Sequence, residues 1–258
     1  MRAIPSAAII RFVVLALVAA LGAPAVAQGS TILYTNNFES PTGFVDTTGR
    51  DVSQQNVNAL YGQPGFLFQQ IFTVETLENN GGVAFGTGYS DPEARGGNYS
   101  IGMLCCVQDD RLSLTFDVGA FDFLNVFMDI SAIDLDGVGG PFGVGQPVFR
   151  LSLYDSPGAV FNINAPGTLL SQVTVSGTGI PNQRIYDWTA VIGALNASAS
   201  TDGKVSLVVD LLASGYAAFD NLRVEADDVP AAVPEPASLT LLGAGLAALW
   251  SRRRAARR

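Results

Sequence analysis

Apolar and polar residues alternate strictly along several stretches of this chain. In 112–118, 149–154 and 205–211 every second residue is apolar. A period of two is typical of strands that turn one face to a core. Glycine-, proline- and aspartate-rich turns separate these stretches from further predicted strands at 31–39, 69–77, 98–105, 123–131, 168–175, 184–192 and 216–225.

The body of the chain is therefore predicted to be all-β. It contains no long amphipathic helix, and the one short helix candidate is 190–197. About ten short strands joined by irregular loops favour a single β-sandwich of jelly-roll type. We place this domain at 28–226 and an exposed linker at 227–232.

The N-terminal end has the layout of an export signal. Arg2 and Arg11 precede the apolar stretch 12–21, and Ala25 and Ala27 form an A-x-A pattern. This order is typical of a secretory signal peptide. An N-terminal membrane helix is the alternative, but the apolar run is short for a span of about 20 residues. We therefore predict a signal peptide that ends at Ala27.

The C-terminal end, 233–258, has three parts in a fixed order. A Pro-Glu-Pro segment precedes fourteen apolar residues, 237–250, and an arginine-rich end follows them. The residues of the first and third parts are Pro234, Glu235, Pro236, Arg252, Arg253 and Arg254. This order resembles the PEP-CTERM sorting tail of exported bacterial proteins.

The resemblance implies that an exosortase-type transpeptidase recognises the Pro-Glu-Pro segment and that the host makes extracellular polysaccharide. The apolar run 237–250 is short for a permanent span. We expect a short transmembrane helix there, inserted transiently in the inner membrane, with the terminal arginines on the cytoplasmic side. The protein is thus predicted to pass through the inner membrane to the cell envelope, the outer surface or the extracellular matrix.

Charge narrows the range of partners. Seven of the 14 basic residues lie in the two ends, against one of the 23 acidic residues, so the mature stretch carries 22 acids, seven bases and a net charge of −15. Nucleic acid and anionic polymers bind through lysine and arginine, so we exclude them as direct partners. The chain also has no histidine, which rules out serine–histidine triads and histidine–zinc sites.

Three short motifs mark the first strand, the middle and the last strand of the body. They are Asn37-Phe38-Glu39-Ser40, Gly96-Gly97-Asn98-Tyr99-Ser100-Ile101-Gly102 and Phe219-Asp220-Asn221-Leu222-Arg223-Val224. They resemble motifs of carbohydrate-binding-module jelly rolls, in which the terminal strands lie side by side and a structural Ca²⁺ often joins them. The resemblance makes Glu39 and Asp220 the expected metal ligands.

Strand parity also draws attention to Asp220. It shares a predicted strand face with Leu222 and Val224, which are expected to point inward. A carboxylate on a core face needs a partner or a cation, because burying it alone is costly, and calcium prefers oxygen ligands. The other interpretation places Asp220 in water at the sheet rim, and both remain open.

Sugar binding usually needs an exposed aromatic ring on which a pyranose can stack. The candidates in the body are Tyr61, Phe66, Phe68 and Trp188. Aromatic side chains are more often buried in the core, and among these four we expect Tyr61 to be the most exposed. Tyr61, Phe66 and Trp188 are the predicted ligand-binding residues.

The only two cysteines, Cys105 and Cys106, are adjacent. An exported protein can oxidise them, although neighbouring Cα atoms about 3.8 Å apart would strain a bridge between them. Reduced strand residues, a strained bridge and a bridge to a second chain all remain open.

These features favour a non-catalytic binding module associated with polysaccharide. A structural or adhesive surface protein without a glycan site is one alternative, and a carboxylate-based glycoside hydrolase is another. Aromatic side chains exposed on one face would favour sugar binding, whereas complete burial would favour the structural role. A hydrolase needs a cleft that holds a carboxylate pair with one raised pKa.

Overall fold

A computed structural model describes residues 29–49, 51–71, 73–80, 90–104, 110–133, 146–178, 185–213 and 216–232. The predicted signal peptide with Ala25 and Ala27, the cysteine pair and the tail from residue 233 onward lie outside the described residues. Within the described ranges, no helix is long and apolar enough to cross a bilayer. The signal peptide and the transmembrane helix therefore stay predictions.

The described residues form twelve strands and two short helices. The strands are β1 (Thr31–Asn36), β2 (Val52–Ser53), β3 (Gln69–Ile71), β4 (Val74–Glu78), β5 (Tyr99–Met103), β6 (Arg111–Asp117), β7 (Phe123–Ile133), β8 (Val148–Asp155), β9 (Leu169–Ser176), β10 (Thr189–Asn196), β11 (Lys204–Ala213) and β12 (Tyr216–Asp227). The helices are α1 (Val57–Tyr61) and a 3₁₀ turn, Pro157–Ala159.

Antiparallel pairing arranges these strands in two sheets. The first has the order β10-β7-β12-β5-β4-β2, with β1 also paired to β12, and the second has the order β3-β6-β11-β8-β9. The inward residues of both sheets form one apolar core, in which Phe38, Phe149 and Phe219 are fully buried. Removal of this apolar surface from water is the main force that holds the sheets together. The predicted β-sandwich is confirmed.

Two predicted elements differ from the structure. The stretch 69–77 is not one strand, because β3 pairs with β6 in the second sheet and β4 pairs with β5 in the first. The helix candidate 190–197 lies almost entirely in β10, which pairs with β7 along all eight of its residues. Its alanines favour a helix locally, but this pairing and the burial of Val191 and Leu195 outweigh local propensity.

A second, smaller core covers part of the outer face of the first sheet. Its buried members are Val52, Leu77, Leu104, Ile133, Tyr186, Trp188 and Ala218. In β4, Val74 lies in the main core and Leu77 lies in this outer core. Apolar residues therefore occupy both faces of β4, four consecutive residues from Val74 to Leu77 are buried, and alternation is lost there.

Candidate functional site

The last strand changes neighbours in its middle. β7 lies along one edge of β12, while the other edge pairs first with β5, at 217–219, and then with β1, at 222–226. The change falls at Asp220 and Asn221, where the register shifts and Asn221 has a positive φ of 50°. The end of β1 and the start of β5 therefore meet beside these two residues.

The bulge at Asn221 decides which way Asp220 points. Phe219, Leu222 and Val224 lie in the main core, whereas Ala218 lies in the small outer core. Asp220 pairs with Asp129 of β7 before the extra residue shifts the register. It is therefore on the outer face, and the prediction that it shares a face with Leu222 and Val224 is wrong, because a bulge inserts one residue and reverses the parity.

Asp220 is nevertheless buried, with 1% of its surface exposed. Among the described residues its only hydrogen-bond donor is the backbone N–H of Asn221, 2.5 Å from Oδ1. The pKa of the Asp220 carboxyl is raised to about 9. Burial is the largest cause, the Asn221 N–H acts in the opposite direction, and the negative charges of Glu39, Asp129 and Asp91 add to the rise. The alternative interpretation, a solvated rim position, is also wrong.

Glu39 reaches the same place from the end of β1. Asn36 Oδ1 accepts the N–H of Phe38 at 2.8 Å, and Phe38 has a φ of 52°, so the chain turns and buries Phe38. The Glu39 carboxylate then accepts the backbone N–H groups of Asn98, at 2.8 Å, and Tyr99, at 3.2 Å, and the Asn98 side chain at 3.0 Å. Glu39 thus joins the first strand to the segment that enters β5.

Gly97 makes this contact sterically feasible. Its φ is +55°, and a Cβ at this position would lie 2.1 Å from Glu39 Oε1. Only glycine offers both the backbone conformation and the space. The Gly-Gly-Asn-Tyr motif therefore positions the Glu39 carboxylate.

Other polar groups complete the surroundings of Asp220. Asn221 Nδ2 donates to Arg95 O and to Asp129 Oδ2, each at 2.9 Å. Arg95 forms an ion pair with Asp129. Asp91 Oδ2 accepts the N–H of Gly96 at 2.7 Å, whereas its buried Oδ1 receives no hydrogen bond from the described residues. The site thus brings several carboxylates together, and the Arg95 guanidinium pairs with Asp129. Sequence patterns did not indicate Asp91, Arg95 or Asp129.

This donor set partly fits a calcium ion. Glu39 and Asp220 would supply hard carboxylate oxygens, and a cation would stabilise the ionised Asp220 carboxylate, which burial and the neighbouring negative charges disfavour. Among the described residues, no cluster of three acidic, cysteine or histidine side chains is arranged to hold a metal. Backbone carbonyls and water would have to provide the remaining ligands of the six to eight that calcium usually takes.

The predicted sugar-stacking aromatics do not form an exposed face. Tyr61 is 6% exposed and Trp188 is 5% exposed, and Phe68 is also buried. Tyr61 packs edge-on against Phe38 in the main core, while Trp188 stacks on Tyr186 in the outer core. The expectation that Tyr61 is exposed is wrong, because α1 directs its side chain into the main core. Of the three predicted ligand residues, only Phe66 reaches the surface.

Phe66 lines a groove with a volume of about 620 Å³. The groove lies where the segment before β3 runs beside the end of β6, and the loop after the 3₁₀ turn forms its other wall. Its apolar lining includes Leu33, Phe66, Leu67, Phe116, Val160 and Phe161. Leu67 and Val160 are strongly exposed, and Val160 keeps 78% of its surface in water.

The polar groups of the groove already have partners. Lys204 Nζ forms an ion pair with Asp117, which lowers the pKa of the Asp117 carboxyl, and the backbone N–H of Gly119 lowers it further. Gln69 Nε2 donates to Phe161 O at 2.8 Å, and its Oε1 accepts the N–H of Ile163 at 3.1 Å. The groove therefore offers an apolar, partly aromatic floor with a solvated ion pair at one end.

Comparisons with known proteins bear on the tail and the body separately. The family model of the PEP-CTERM protein-sorting motif matches residues 232–255, which confirms the resemblance of the tail. This motif indicates an exported protein that is sorted to the cell surface. Among proteins of curated function, none matches the chain significantly.

Structural neighbours of the body include sandwich domains of several functions. The CBM22-1 xylan-binding domain of Paenibacillus barcinonensis Xyn10C is 12% identical, with a TM-score of 0.40 over 80% of this chain and 100% of that one. The K3 cleaved adhesin domain of Lys-gingipain from Porphyromonas gingivalis w83 is 9% identical, with a TM-score of 0.41 over 76% and 99% of the two chains.

An arabinose-bound MgGH51 α-L-arabinofuranosidase is 12% identical, with a TM-score of 0.37 over 61% of this chain. The chain spans only 22% of the length of that enzyme. At these levels of similarity, none of the three neighbours identifies a ligand or an activity for this chain.

Proposed function

We propose that this protein is a non-catalytic, polysaccharide-associated module of the cell surface or extracellular matrix, and that the groove at Phe66 and Phe161 is its glycan site. The groove itself carries the proposal. It is concave, mostly apolar and within the range of about 300–1,000 Å³ typical of ligand sites. Two half-buried phenylalanine rings in it can pack against the CH-rich face of a sugar, and the solvated pair Asp117–Lys204 can exchange hydrogen bonds with hydroxyl groups.

The export signals support this location. The sorting motif at 232–255 sends the chain to the surface, and a net charge of −15 on the mature stretch disfavours anionic polymers as ligands. An exosortase-type enzyme is the proposed processing partner, and a neutral extracellular glycan is the proposed ligand class.

The placement of the carboxylates argues against a hydrolase. The carboxyl with the strongly raised pKa, Asp220, is buried under the outer core and does not line the groove. The acid that does line the groove, Asp117, has a lowered pKa and is tied to Lys204. A general acid with a raised pKa facing a second carboxylate would be needed at the groove for glycoside hydrolysis.

We further propose that Glu39 and Asp220 bind a structural calcium ion. The cation would sit between the end of β1 and the bulge of β12 and offset the charge on Asp220. Its role there is to stabilise the junction of the first and last strands. In this proposal calcium has no part in contacting the glycan.

The test is affinity electrophoresis of the mature chain through gels that contain the host's extracellular polysaccharide, with calcium and with chelator. We expect retardation of the wild type in calcium. Phe161→Ala should weaken the apparent affinity about tenfold, because a lost stacking contact is worth about 1.4 kcal/mol. Leu169→Ala, which removes an exposed apolar side chain of β9 outside the groove, is the matched control and should migrate as the wild type does.

Unretarded migration of a folded wild type in both gels would overturn the glycan proposal for that polymer. Equal retardation of Phe161→Ala and the wild type would remove the groove as its site. Loss of retardation in chelator, with no matching loss of folded protein, would show that calcium itself contacts the glycan and would contradict the structural role given to it.

A structural or adhesive surface protein is the second candidate. The burial of Tyr61, Phe68 and Trp188 favours it, since these rings are not available for stacking. The exposed Leu67 and Val160 could then contact another protein surface. Sedimentation velocity separates the two proposals, because self-association that Val160→Ser abolishes would favour the structural role.

A further inference from the structure

The segment that leads to the sorting tail is fastened to the folded domain. β12 ends at Asp227, and Asp227 Oδ1 accepts the N–H of Val229 at 3.2 Å, which turns the chain. Asn125 Nδ2 then donates to Val229 O at 3.1 Å, and Asn125 Oδ1 accepts the N–H of Ala231 at 2.9 Å. We refer to these three hydrogen bonds as the linker clasp.

Asn125, to which the linker is bonded, lies in a strand that is paired on both sides. It lies opposite Ala194 of β10 on one side and opposite Glu225 of β12 on the other, so β7 is paired along both of its edges at this residue. Only 2% of its surface is exposed. Its amide uses one donor and one acceptor on the linker, so release of the linker would exchange two hydrogen bonds within the protein for bonds to water.

Pro230 adapts the linker to this attachment. Proline has no N–H, and the two backbone groups that bind Asn125 are the carbonyl before it and the N–H after it. In an extended chain these two groups point to the same side, as they do between paired strands. The linker thus binds the Asn125 amide as it would bind a neighbouring strand.

The clasp ends where the sorting motif begins. Ala231 directly precedes the matched residues 232–255. Only five residues, 232–236, separate it from the apolar run 237–250, and at about 3.5 Å per extended residue they span less than about 20 Å. A processing enzyme that works on an extended substrate in this interval would meet the folded domain on one side and the apolar run on the other.

We propose that the linker clasp is a brake on tail processing, with Asn125 as the positioning residue that must release the linker before the chain near Pro234 can enter an enzyme's cleft. This inference rests on the proposal that the tail is processed. The clasp itself is a property of the folded domain and can be tested without the processing enzyme and without any glycan.

The experiment uses the full chain in detergent micelles and measures two quantities at the linker. Hydrogen exchange followed by mass spectrometry reports protection of the Val229 and Ala231 amides. Dilute proteinase K, with the cleaved bonds mapped by mass spectrometry, reports the cutting rate between residues 228 and 233. We expect protected amides in the wild type and a linker that Asn125→Ala makes about tenfold faster to cut, because local opening sets the cutting rate.

Two further variants make the result specific. Asp227→Ala removes the bond to the Val229 N–H from a surface position, and we expect a rise of about two- to threefold without loss of the fold. Val126→Ala shortens a core residue of the same strand on the opposite face, so it lowers global stability and should leave linker cutting unchanged.

The proposal is overturned if the two linker amides of the wild type exchange as fast as an unstructured peptide. It also fails if Asn125→Ala folds and is cut in the linker as slowly as the wild type. If Asn125→Ala does not fold, the Asp227→Ala rate decides between the two outcomes. Retention on polysaccharide is unaffected by any of these results, so a failed clasp and a failed glycan proposal are distinguishable.

Discussion

The bulge of β12 and the groove beside β6 satisfy their polar groups in opposite ways. At the bulge, Asp220 is buried with one backbone donor, and the carboxylates of Glu39, Asp129 and Asp91 surround it. At the groove, Asp117 pairs with Lys204 and the Gln69 amide is bonded at both ends, while Leu67 and Val160 stay exposed. Among the described residues, Asp220 has no cationic partner, because Arg95 pairs with Asp129, and the apolar side chains of the groove have no partner surface.

This difference indicates what each region can bind. A buried carboxylate among like charges is stabilised by a proton or a cation, so the bulge is suited to an ion. An exposed apolar groove with satisfied polar groups is stabilised by contact with an apolar surface, so the groove is suited to a sugar face or a protein. Three sets of variants test this contrast.

The largest expected effect is on the pH dependence of stability at Asp220. Its pKa is about 9 in the folded protein against 3.8 as the reference value. The stability that the protonated group contributes is therefore fully present below pH 3.8 and is lost as the pH rises through 9. In the presence of chelator, the Tm of Asp220→Asn should equal that of the wild type near pH 4. At pH 9 it should be higher than that of the wild type by on the order of 10 °C.

Calcium should reduce the difference in Tm between the wild type and Asp220→Asn. If the ion binds at Glu39 and Asp220, its addition at pH 8 raises the Tm of the wild type and leaves that of Asp220→Asn nearly unchanged. Thermal unfolding followed by circular dichroism measures both. A Tm difference that is flat from pH 4 to 9, or an equal calcium response in both proteins, would contradict the ionic interpretation of the bulge.

An intermediate effect is expected at Gly97, which supports the same region. Gly97→Ala combines a positive φ with a Cβ 2.1 Å from Glu39 Oε1, and we expect a loss of about 2–4 kcal/mol in the free energy of unfolding. Gly43→Ala is the matched control, because its φ is +70° but no atom lies within 4 Å. It should cost about 1 kcal/mol in the same urea titration, and equal losses would show that Glu39 adds no constraint.

The smallest effect is expected at the ion pair of the groove. Asp117→Ala removes an exposed partner of Lys204, so the loss should be below about 1 kcal/mol and should shrink in high salt. Because the pKa of Asp117 is lowered, the stability that the ion pair contributes is fully present above the reference pKa of 3.8 and is lost as the pH falls through the lower pKa of the folded protein. A loss of several kcal/mol in the free energy of unfolding, measured by urea titration at pH 7, would show that this end of the groove is as tightly constrained as the bulge.

Most strands could be predicted because their signal is local. β6, β8 and β11 place an apolar side chain in the main core at every second position, so the period of two is visible in their residues although several polar residues between them are also buried. β4 is buried on both faces, and its alternation is lost. β10 carries helix-favouring alanines, and pairing with β7, whose partner residues lie 59 to 73 positions away in the chain, decides its conformation.

In the candidate site, too, features with a local sequence signal could be predicted, and features set by distant contacts could not. The motifs around Glu39 and Asp220 could be singled out, and the structure places them together at the junction of β1, β5 and β12. The face of Asp220 could not be predicted, since the bulge at Asn221 lies where the neighbour of β12 changes from β5 to β1. Arg95 and Asp129 are 34 residues apart, and no short motif links them.

By itself the sequence determined the class of fold, the acidic balance of the body and the sorting motif at its end, because periodicity, composition and short linear signals are local properties. Only the tertiary structure decided that Tyr61 and Trp188 are buried, that Phe66 and Phe161 share a groove, and that Asn125 holds the linker. Each of these depends on contacts between segments far apart in the chain. Such contacts are set by how two twisted sheets pack over a common core, and local pattern does not encode them.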